Sequence, residues 1–493
     1  MPREESADIK TLIISSEAAP YAKSGGLGDV VGALPKALRR IGVDARIVIP
    51  KYKSLPAEYH KDLSYIGTYA ISMGPYRANA VALKLDAAVP TYLIENNDYF
   101  GRDGFYGYGD DYERFAFFTK AAIELCGAMG FDADVLHFND WQTGLGPIYL
   151  RDQYARFTMY GRMKSLFTIH NLKYQGRFPR ETLRRVDLND GYYTGGQLEF
   201  CGTTSYMKGG VLYADAVSAV SRTYADEIQT PAYGQGLDGV LRRRSRDLYG
   251  ITNGIDDESY DPAADPALFA PFSARDPSGK AENKARLQAY LGLPVRADAP
   301  MLSVISRLVD QKGLDILAVC LDELMRMDIQ LVILGAGDWN YERMFKDLRG
   351  RHGGKVSANI MFSEDLARKI YAGSDIFLMP SLFEPCGLGQ MIAMRYGAVP
   401  VVRRTGGLND TVSHWSADNP DGVGFLFNDY VASGLMWAVR CALEAYRSEH
   451  WPGIVRNAMR GDFSWTASAQ KYAKLYAKIA GKDFSGGKSL DGV

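Results

Sequence analysis

The sequence predicts an α/β protein built from two doubly wound domains, and three observations support this prediction. Short apolar runs rich in β-branched residues recur along the 493 residues, as strands buried on both faces of a parallel sheet require. Helical patterns lie between these runs, and alternation of strand and helix is typical of doubly wound sheets. A stretch rich in Pro, Ala and Asp, at about residues 255–298, interrupts the alternation once and marks the passage between the domains.

Ten apolar runs are predicted to be strands, six before the interruption and four after it. They cover residues 11–17, 45–50, 91–96, 135–140, 165–171 and 216–221, and then 301–307, 330–337, 376–381 and 399–404. The main helical patterns are VVGALPKALRRIG, RFAFFTKAAIELCGAMG, GLDILAVCLDELMRM and, near the C-terminus, FSWTASAQKYAKLYAKIAG. We expect an N-terminal domain of residues 1–252, joined by a C-terminal helix within 470–493, and a second domain of residues 253–469.

The composition excludes several classes of protein. With 57 Lys and Arg against 58 Asp and Glu, the net charge is -1, which argues against binding to nucleic acid or to a membrane surface. The five cysteines are widely spaced and form no CxxC pair, as is typical of a reducing compartment. The N-terminus, MPREESADIK, is charged and lacks an apolar signal core, and no run approaches the roughly 18 apolar residues of a membrane span. We therefore expect a cytoplasmic protein.

A glycine-rich loop, KSGGLGD, lies between the first predicted strand and the first predicted helix. Backbone N–H groups at the positive end of a helix dipole suit a phosphate. Glycines allow an anion to approach closely, and we expect some of them to need positive φ. Lys23 adds a mobile positive charge, although a surface lysine beside a tight turn is the alternative. The loop matches neither GxxxxGK[ST] nor GxGxxG, which disfavours a P-loop triphosphatase and a dinucleotide-dependent oxidoreductase.

The second domain contains a similar loop and a pair of cations. TGGLND, residues 405–410, repeats the pattern of SGGLGD, residues 24–29, and each follows an apolar run. In SRLVDQKGLD, Arg307 ends a predicted strand and Lys312 lies in the loop that follows. Ligands of doubly wound sheets bind outside the carboxyl ends of the strands, so these two cations predict a polyanion such as a diphosphate. A solvated loop with scattered charges is the alternative.

Three further motifs place polar residues directly after predicted strands. Glu384, in SLFEPCGLGQ, precedes Pro385, which signals a helix start, so its carboxylate either caps a helix or binds sugar hydroxyls. HFNDWQTG and FTIHNLKYQG supply His137, Asp140 and His170. A metal site formed by these three lacks the usual close spacing of ligands, and we expect no metal.

Taken together, the motifs resemble those of the bacterial glycogen synthase and plant starch synthase family. The resemblance rests on KSGGLGDVVGALPKAL, RDGFYGYGDDYERFAFF, HFNDWQTGL, FTIHNLKYQG, ITNGID, SRLVDQKGLD and FEPCGLGQMIAMRYGAVPVVRRTGGLNDTV, and it covers nearly the whole chain. It implies a glycosyltransferase B fold, with two Rossmann-like domains that face a central cleft. It also implies retaining, metal-independent transfer of glucose from ADP-glucose to the non-reducing end of an α-1,4-glucan, such as glycogen, with release of ADP.

The resemblance also implies roles for individual residues. Arg307 and Lys312 would neutralise the departing diphosphate, where preorganised charge acts most strongly. Glu384 would hold the glucose hydroxyls, and His170 would line the sugar pocket. The other expected substrate-binding residues are Lys23, Gly25, Gly26, Asp29, Asp140, Asn253, Cys386, Thr405, Gly406 and Gly407. No cofactor beyond the donor substrate is expected.

The sequence departs from the family pattern in two places. The family motif is KTGGLADV, and here Ser24 and Gly28 replace its Thr and Ala. Related retaining transferases carry a second glutamate where this chain has Ile392, which weakens any account of nucleotide binding by two carboxylates. The alternatives are a sucrose- or trehalose-phosphate-type synthase, a glucan phosphorylase, and a glucan-binding protein without activity.

Overall fold

The structure, a computed structural model, describes residues 9–484 and residue 486. The predicted termini of the first domain, residues 1–8, 485 and 487–493, therefore lie outside the described residues. The contacts between Cα atoms divide the chain into two compact units. The N-terminal unit comprises Met1–Gly254 and Trp465–Val493, and the second unit comprises Ile255–Ser464.

Strands occur in both units, and each of the ten predicted runs overlaps one of them. The strands are β1 Ile9–Ile14, β2 Val43–Pro50, β3 Leu63–Met73, β4 Tyr76–Leu85, β5 Thr91–Glu95, β6 Val135–Asn139, β7 Lys164–Ile169, β8 Arg177–Phe178, β9 Glu199–Phe200, β10 Thr203–Ser205, β11 Ala216–Ala219, β12 Leu248–Gly250, β13 Met301–Ile305, β14 Gln330–Leu334, β15 Val356–Asn359, β16 Ile376–Met379, β17 Val399–Arg403 and β18 Phe425–Phe427.

Helices follow most of the parallel strands. They are α1 Gly26–Arg40, α2 Asn97–Phe100, α3 Asp111–Ala128, α4 Gly146–Tyr149, α5 Thr158–Arg162, α6 Gly191–Thr194, α7 Tyr206–Tyr213, α8 Arg222–Glu227, α9 Asp238–Arg243, α10 Ser278–Tyr290, α11 Leu314–Arg326, α12 Trp339–Arg351, α13 Glu364–Gly373, α14 Gly389–Arg395, α15 Gly406–Thr411, α16 Ala432–Tyr446, α17 Trp451–Arg460 and α18 Trp465–Ala480. In the described part of the chain, no helix is long and apolar enough to cross a membrane.

The N-terminal unit is organised around one large sheet with the strand order β12-β11-β7-β6-β1-β2-β5-β4-β3. The strands from β12 to β5 are parallel, and β4 and β3 extend the sheet as an antiparallel hairpin. A small antiparallel sheet, β8-β10-β9, accompanies it. Parallel strands align their carboxyl ends, so the residues that follow β1, β6, β7 and β12 lie along one edge of the sheet.

The helix α18 packs on this N-terminal sheet although it comes from the far end of the chain. Its Tyr472 and Tyr476 side chains are fully buried. The Tyr476 hydroxyl lies 2.8 Å from Nδ1 of His137, which is a residue of β6. Just beyond the helix, Lys482 forms an ion pair of 2.7 Å with Asp134. Buried aromatic area and a buried polar contact thus stabilise the position of α18.

The second unit contains a six-stranded, entirely parallel sheet in the order β15-β14-β13-β16-β17-β18. Helices α10 and α13 cover an apolar cluster beside it that includes Leu287, Met301 and Ile370. Asp375, directly before β16, accepts a hydrogen bond of 2.8 Å from the Met301 backbone and pairs with Lys284 at 2.7 Å. The carboxyl ends of β13, β16 and β17 share one edge, which is where the sequence places its cations and second glycine loop.

Candidate active site

The glycine loop of the N-terminal unit connects β1 to α1, with Gly25 as the N-terminal cap and Gly26 as the first helical residue. Glu17, which is buried, holds this loop by accepting hydrogen bonds from the Ser24 backbone N–H at 2.5 Å and from the Ser24 hydroxyl at 2.7 Å. Lys23 forms an ion pair of 2.8 Å with Asp29, one helical turn into α1. The loop is therefore ordered by a buried carboxylate, and its lysine is charge-balanced within the same motif.

The glycines of this loop do not have the conformation that we expected. Gly25 has φ of −168°, an extended conformation open to any residue, and neither Gly25 nor Gly26 has positive φ. A Cβ atom added to either glycine would have no atom within 4 Å. The expectation of positive φ was wrong here. What the two glycines leave open is the space that a Cβ would fill at the start of a 15-residue helix, whose first backbone N–H groups have no partner within the helix.

The ends of β6 and β7 bring three polar residues of the N-terminal unit together. Asp140 follows β6 with φ of 56°, a left-handed value that is uncommon for a residue other than glycine. Its Oδ1 accepts hydrogen bonds from the backbone N–H of His170 at 2.8 Å and of Asn171 at 3.3 Å. Nε2 of His170 lies 2.9 Å from Oδ1 of Asn139, the last residue of β6. Strain and burial at one edge of a sheet are a pattern that functional sites share.

Burial changes the protonation of this cluster. It raises the pKa of Asp140 from 3.8 to about 7, against the two backbone N–H groups that favour the carboxylate, and the negative charge of Glu17 adds to the rise. Burial also lowers the pKa of His170 to about 3, so its imidazole is neutral near pH 7. Within residues 9–484, no group of three or more His, Cys, Asp or Glu side chains could hold a metal ion.

Asn253 lies after β12 at the end of the N-terminal unit, rather than in the second unit. Its side chain is 6% exposed, and its Oδ1 has no hydrogen-bond partner among the described residues. A buried carbonyl oxygen without a partner costs about 1–3 kcal/mol in free energy. A ligand hydroxyl or N–H that donates to Oδ1 would remove that cost.

In the second unit, the two predicted cations lie in different electrostatic environments. Arg307 follows β13, is exposed, and forms no ion pair or side-chain hydrogen bond with any residue that the structure describes. Lys312 ends a short 3-10 turn and donates to Oε2 of Glu384 at 2.6 Å. Glu384 is buried, and the Ser381 hydroxyl donates to the same oxygen at 3.0 Å. The structure thus joins Lys312 to Glu384 and leaves Arg307 available to an anion.

The prediction that Glu384 and Pro385 begin a helix was wrong. Helix α14 begins at Gly389, and Gly387 just before it has φ of 77°, a left-handed value that does not occur inside a right-handed helix. The segment at residues 384–388 is held in an irregular path because the Glu384 carbonyl accepts the backbone N–H of Gly407 at 3.1 Å. The carboxylate of Glu384 consequently pairs with a lysine instead of capping a helix.

The second glycine loop differs physically from the first. Gly406 has φ of 44°, and an added Cβ would lie 1.9 Å from the Glu384 carbonyl oxygen. At Gly407, an added Cβ would lie 2.1 Å from the carbonyl oxygen of Cys386. Thr405, Gly406, Gly407 and Cys386 are all buried. Here close packing against the segment that contains Glu384 explains the glycines, and α15, which they open, has only six residues.

Some residues that the geometry singles out are not among the predicted site residues. Glu17 and Asn139 lie at or near the ends of predicted strand runs, where a carboxylate and an amide after apolar residues are the signal that could reveal them. In the second unit, Phe362 is 83% exposed and Trp339 is 67% exposed, and they follow β15 and β14 at the carboxyl edge of the sheet. Large aromatic rings exposed at a ligand-binding edge are candidates for stacking.

Comparison with known proteins agrees with this architecture. The family model "Starch synthase catalytic domain" matches residues 10–243, and "Glycosyl transferases group 1" matches residues 293–451. The glycogen synthase of Desulforudis audaxviator is 47% identical over an alignment of 485 residues, and the match covers 95% of this chain and 96% of that relative. The glycogen synthase of Geobacillus stearothermophilus is 46% identical over an alignment of 479 residues, and the match covers 96% of this chain and 99% of that protein.

Two solved structures extend the comparison. The catalytic domain of starch synthase IV from Arabidopsis thaliana, bound to ADP and acarbose, superposes with a TM-score of 0.90 at 34% identity and covers 96% of this chain and 100% of that one. Sucrose-phosphate synthase from Thermosynechococcus elongatus is similar in fold alone, with a TM-score of 0.59 at 19% identity over 96% of this chain and 99% of that one. The two α/β units are thus those of a glycosyltransferase B fold, and the chain belongs to the glycogen synthase and starch synthase family of glycosyltransferases.

Proposed function

We propose that this chain is a glycogen synthase that transfers glucose from ADP-glucose to the non-reducing end of an α-1,4-glucan and releases ADP. The observation that supports this most strongly is nearly full-length identity of 46–47% to glycogen synthases. The solved starch synthase IV was bound to ADP and acarbose, and the proposal extends those two ligand classes, a nucleotide and a glucan-like sugar, to this chain. Glycogen or a maltooligosaccharide would serve as acceptor.

The charges of the second unit fit the leaving group of this reaction. Arg307 has no partner in the described residues and would contact the diphosphate first. Lys312 is balanced by Glu384 at 2.6 Å, so a bound diphosphate would compete with the carboxylate for its ammonium group. Exchange would free Glu384 to accept hydrogen bonds from glucose hydroxyls. Positive charge would then lie where negative charge develops as the glycosidic bond breaks.

The N-terminal unit supplies hydrogen-bonding groups suited to a sugar. Asp140, His170 and Asn253 are buried or nearly so, and each presents an oxygen or nitrogen that can accept from a hydroxyl. Lys23 and the open backbone N–H groups at Gly25 and Gly26 would bind donor glucose or phosphate, with Asp29 holding Lys23 until then. In the second unit, Thr405, Gly406, Gly407 and Cys386 would shape the donor site by supporting Glu384.

We further propose that transfer retains configuration through attack on the same face of the glucose from which ADP leaves. The bond from C1 to the β-phosphate oxygen breaks, the acceptor O4 bonds to C1, and the acceptor proton moves to the departing phosphate oxygen. No metal or cofactor is needed for these steps in the proposal, because Arg307 and Lys312 supply the positive charge. A glucosyl–enzyme adduct trapped and seen by mass spectrometry would contradict this mechanism.

The adenine of the donor has a candidate partner in Phe362. A ring that is 83% exposed beside the carboxyl edge of the sheet can stack on a planar base without rearrangement of the protein. Replacement of Phe362 by Ala should raise KM for ADP-glucose roughly tenfold and leave kcat nearly unchanged, since loss of uniform binding alters KM alone. An equal change from Val319→Ala, at an exposed apolar residue of α11, would show that the effect is not specific.

The proposed location is the cytoplasm, which agrees with five cysteines that are all free in the structure. The experiment that tests the proposed function is incubation of the protein with glycogen and either radiolabelled ADP-glucose or UDP-glucose. We expect label in the polymer chiefly from ADP-glucose. Equal incorporation from both donors, or none from ADP-glucose, would contradict the donor assignment.

A further inference from the structure

The side chain of Asn139 is held in one orientation by two backbone carbonyl groups. It is 1% exposed, and its Nδ2 donates to the carbonyl oxygen of Ile14 at 3.2 Å and to that of His137 at 3.1 Å. A carbonyl oxygen can only accept a hydrogen bond, so the amide nitrogen must face these two groups. The amide oxygen of Asn139 is thereby directed to the opposite side, where His170 lies.

This orientation determines the protons of the neighbouring imidazole. Nε2 of His170 lies 2.9 Å from Oδ1 of Asn139, and an amide oxygen has no proton to donate. The proton of this hydrogen bond must therefore be on Nε2. Because burial keeps the pKa of His170 at about 3, the ring is neutral near pH 7 and its other nitrogen, Nδ1, has no proton.

We infer that Asn139 is a positioning residue that fixes the Nε2–H tautomer of His170, so that Nδ1 of His170 accepts a hydrogen bond from a sugar hydroxyl. The role of the sugar rests on the proposed function, whereas the tautomer does not. Nδ1 has no hydrogen-bond partner among the residues that the structure describes. The backbone N–H of His170 is bound to Asp140, so the ring is anchored at its backbone as well as at Nε2.

The Nε2–H tautomer also excludes His170 as a ligand of the diphosphate. A neutral imidazole with a lone pair on Nδ1 cannot neutralise a phosphate, and Nδ1 cannot donate to one. An acceptor at this position suits a hydroxyl group, which can donate, and repels a phosphate oxygen, which cannot. His170 therefore contributes to the binding of glucose or glucan and not to the binding of the diphosphate.

The tautomer can be measured directly on the ligand-free, full-length protein by NMR with ¹⁵N-labelled histidine. The chain has six histidines, and the signal of His170 is identified by its loss in the His170→Gln variant. We expect a protonated Nε2 and an unprotonated Nδ1 near pH 7. A protonated Nδ1, or an imidazolium with both nitrogens protonated, would overturn the inference without any need for a variant.

The role of Asn139 is tested by Asn139→Ala, with Asn359→Ala as a matched control. Asn359 also lies at a strand end, and its Nδ2 donates to a carbonyl of the neighbouring strand, Ile333, at 3.1 Å and to the Ser357 hydroxyl at 3.2 Å, so no histidine is among its side-chain hydrogen-bond partners in the described residues. Asn139→Ala should give His170 a mixture of tautomers and lower kcat/KM roughly tenfold to a hundredfold, as misplaced binding groups do. Asn359→Ala should leave the His170 signal unchanged and activity within about twofold.

Two outcomes separate this inference from the proposed function. If the protein transfers glucose but the NMR signal of His170 is the same in Asn139→Ala as in the wild type, the positioning role is wrong while the function stands. If the predicted tautomer is found but no glucose is transferred from any nucleotide sugar, the proposed function is wrong and the sugar-binding role falls with it.

Discussion

Substitution of Asp140 by Asn gives a test of the buried cluster that does not depend on catalysis. The folded protein raises the pKa of this carboxyl from 3.8 to about 7, so between these values the folded state holds a proton that the unfolded state releases. The contribution of Asp140 to stability is therefore present at low pH and is lost as pH rises through about 7. Asn cannot titrate, and its Oδ1 can still accept the backbone N–H groups of His170 and Asn171.

The magnitude follows from the two pKa values. Between about pH 5.5 and about pH 8, the wild type should lose about 2 kcal/mol through this one group, since each pKa unit is worth about 1.4 kcal/mol. All other titratable groups are the same in both proteins, so their contributions to the pH dependence of stability cancel in the comparison. The difference in stability between Asp140→Asn and the wild type should therefore shift by about 2 kcal/mol in favour of the variant from the lower to the higher pH.

The assay is urea unfolding of both proteins at the two pH values, followed by tryptophan fluorescence and by circular dichroism, so that separate unfolding of the two units is detected. Trp141, next to Asp140 in the chain, reports on the N-terminal unit. Asp98→Asn, at an exposed residue of α2, serves as control and should show no pH-dependent difference. A difference between Asp140→Asn and the wild type that does not change with pH would refute the reasoning.

Three further predictions concern packing and charge. Lys312→Ala should destabilise the second unit by about 1–3 kcal/mol in thermal unfolding, because it leaves a buried carboxylate unpaired. The double variant with Glu384→Gln should regain the stability of the wild type but not its turnover. If the double variant is as unstable as Lys312→Ala, the pairing is contradicted. Gly406→Ala should lower stability by more than about 2 kcal/mol, because the residue has positive φ and the added Cβ would clash with the backbone. Gly25→Ala should change stability by less than about 1 kcal/mol but lower kcat/KM. If calorimetry finds Gly25→Ala to be the less stable variant, the difference between the two loops is contradicted. Tyr476→Phe should cost about 1–3 kcal/mol in urea unfolding of the N-terminal unit, since it leaves a buried imidazole nitrogen unpaired, and no change would show that this contact does not hold α18.

The sequence allowed prediction of those parts of the fold that depend on local pattern. Continuous apolar runs identified ten of the thirteen parallel strands in the described part of the chain, because strands buried on both faces have no polar alternation. The parallel strands β12, β15 and β18 were missed, and each of them has only three or four residues. The hairpin β3–β4 was missed because its residues alternate between buried and exposed along much of its length, and β8 to β10 are too short to give a pattern. Helix α14 was predicted too early because the tertiary contact of Glu384 with Gly407 overrides the start signal of Pro385.

The site was less predictable, because its properties depend on residues that are distant in sequence. SGGLGD and TGGLND look equivalent, yet Gly25 faces open space and Gly406 touches the Glu384 carbonyl. The pairing of Lys312 with Glu384 spans 72 residues, and no local pattern reveals it. The role of Asn139 depends on carbonyl groups of β1 and β6 together, so it became visible only from the three-dimensional arrangement.

The central claim is that cations at the carboxyl edge of the second sheet bind the diphosphate of ADP-glucose. Arg307→Gln tests it most directly, because Arg307 is exposed and without a partner in the described residues, so its replacement should change stability by less than about 0.5 kcal/mol. We expect transfer from ADP-glucose to glycogen to slow by about 10²–10³-fold, with Arg326→Gln, an exposed arginine of α11, as the control that retains wild-type rates. Equal rates for Arg307→Gln and the wild type at saturating ADP-glucose would contradict the claim.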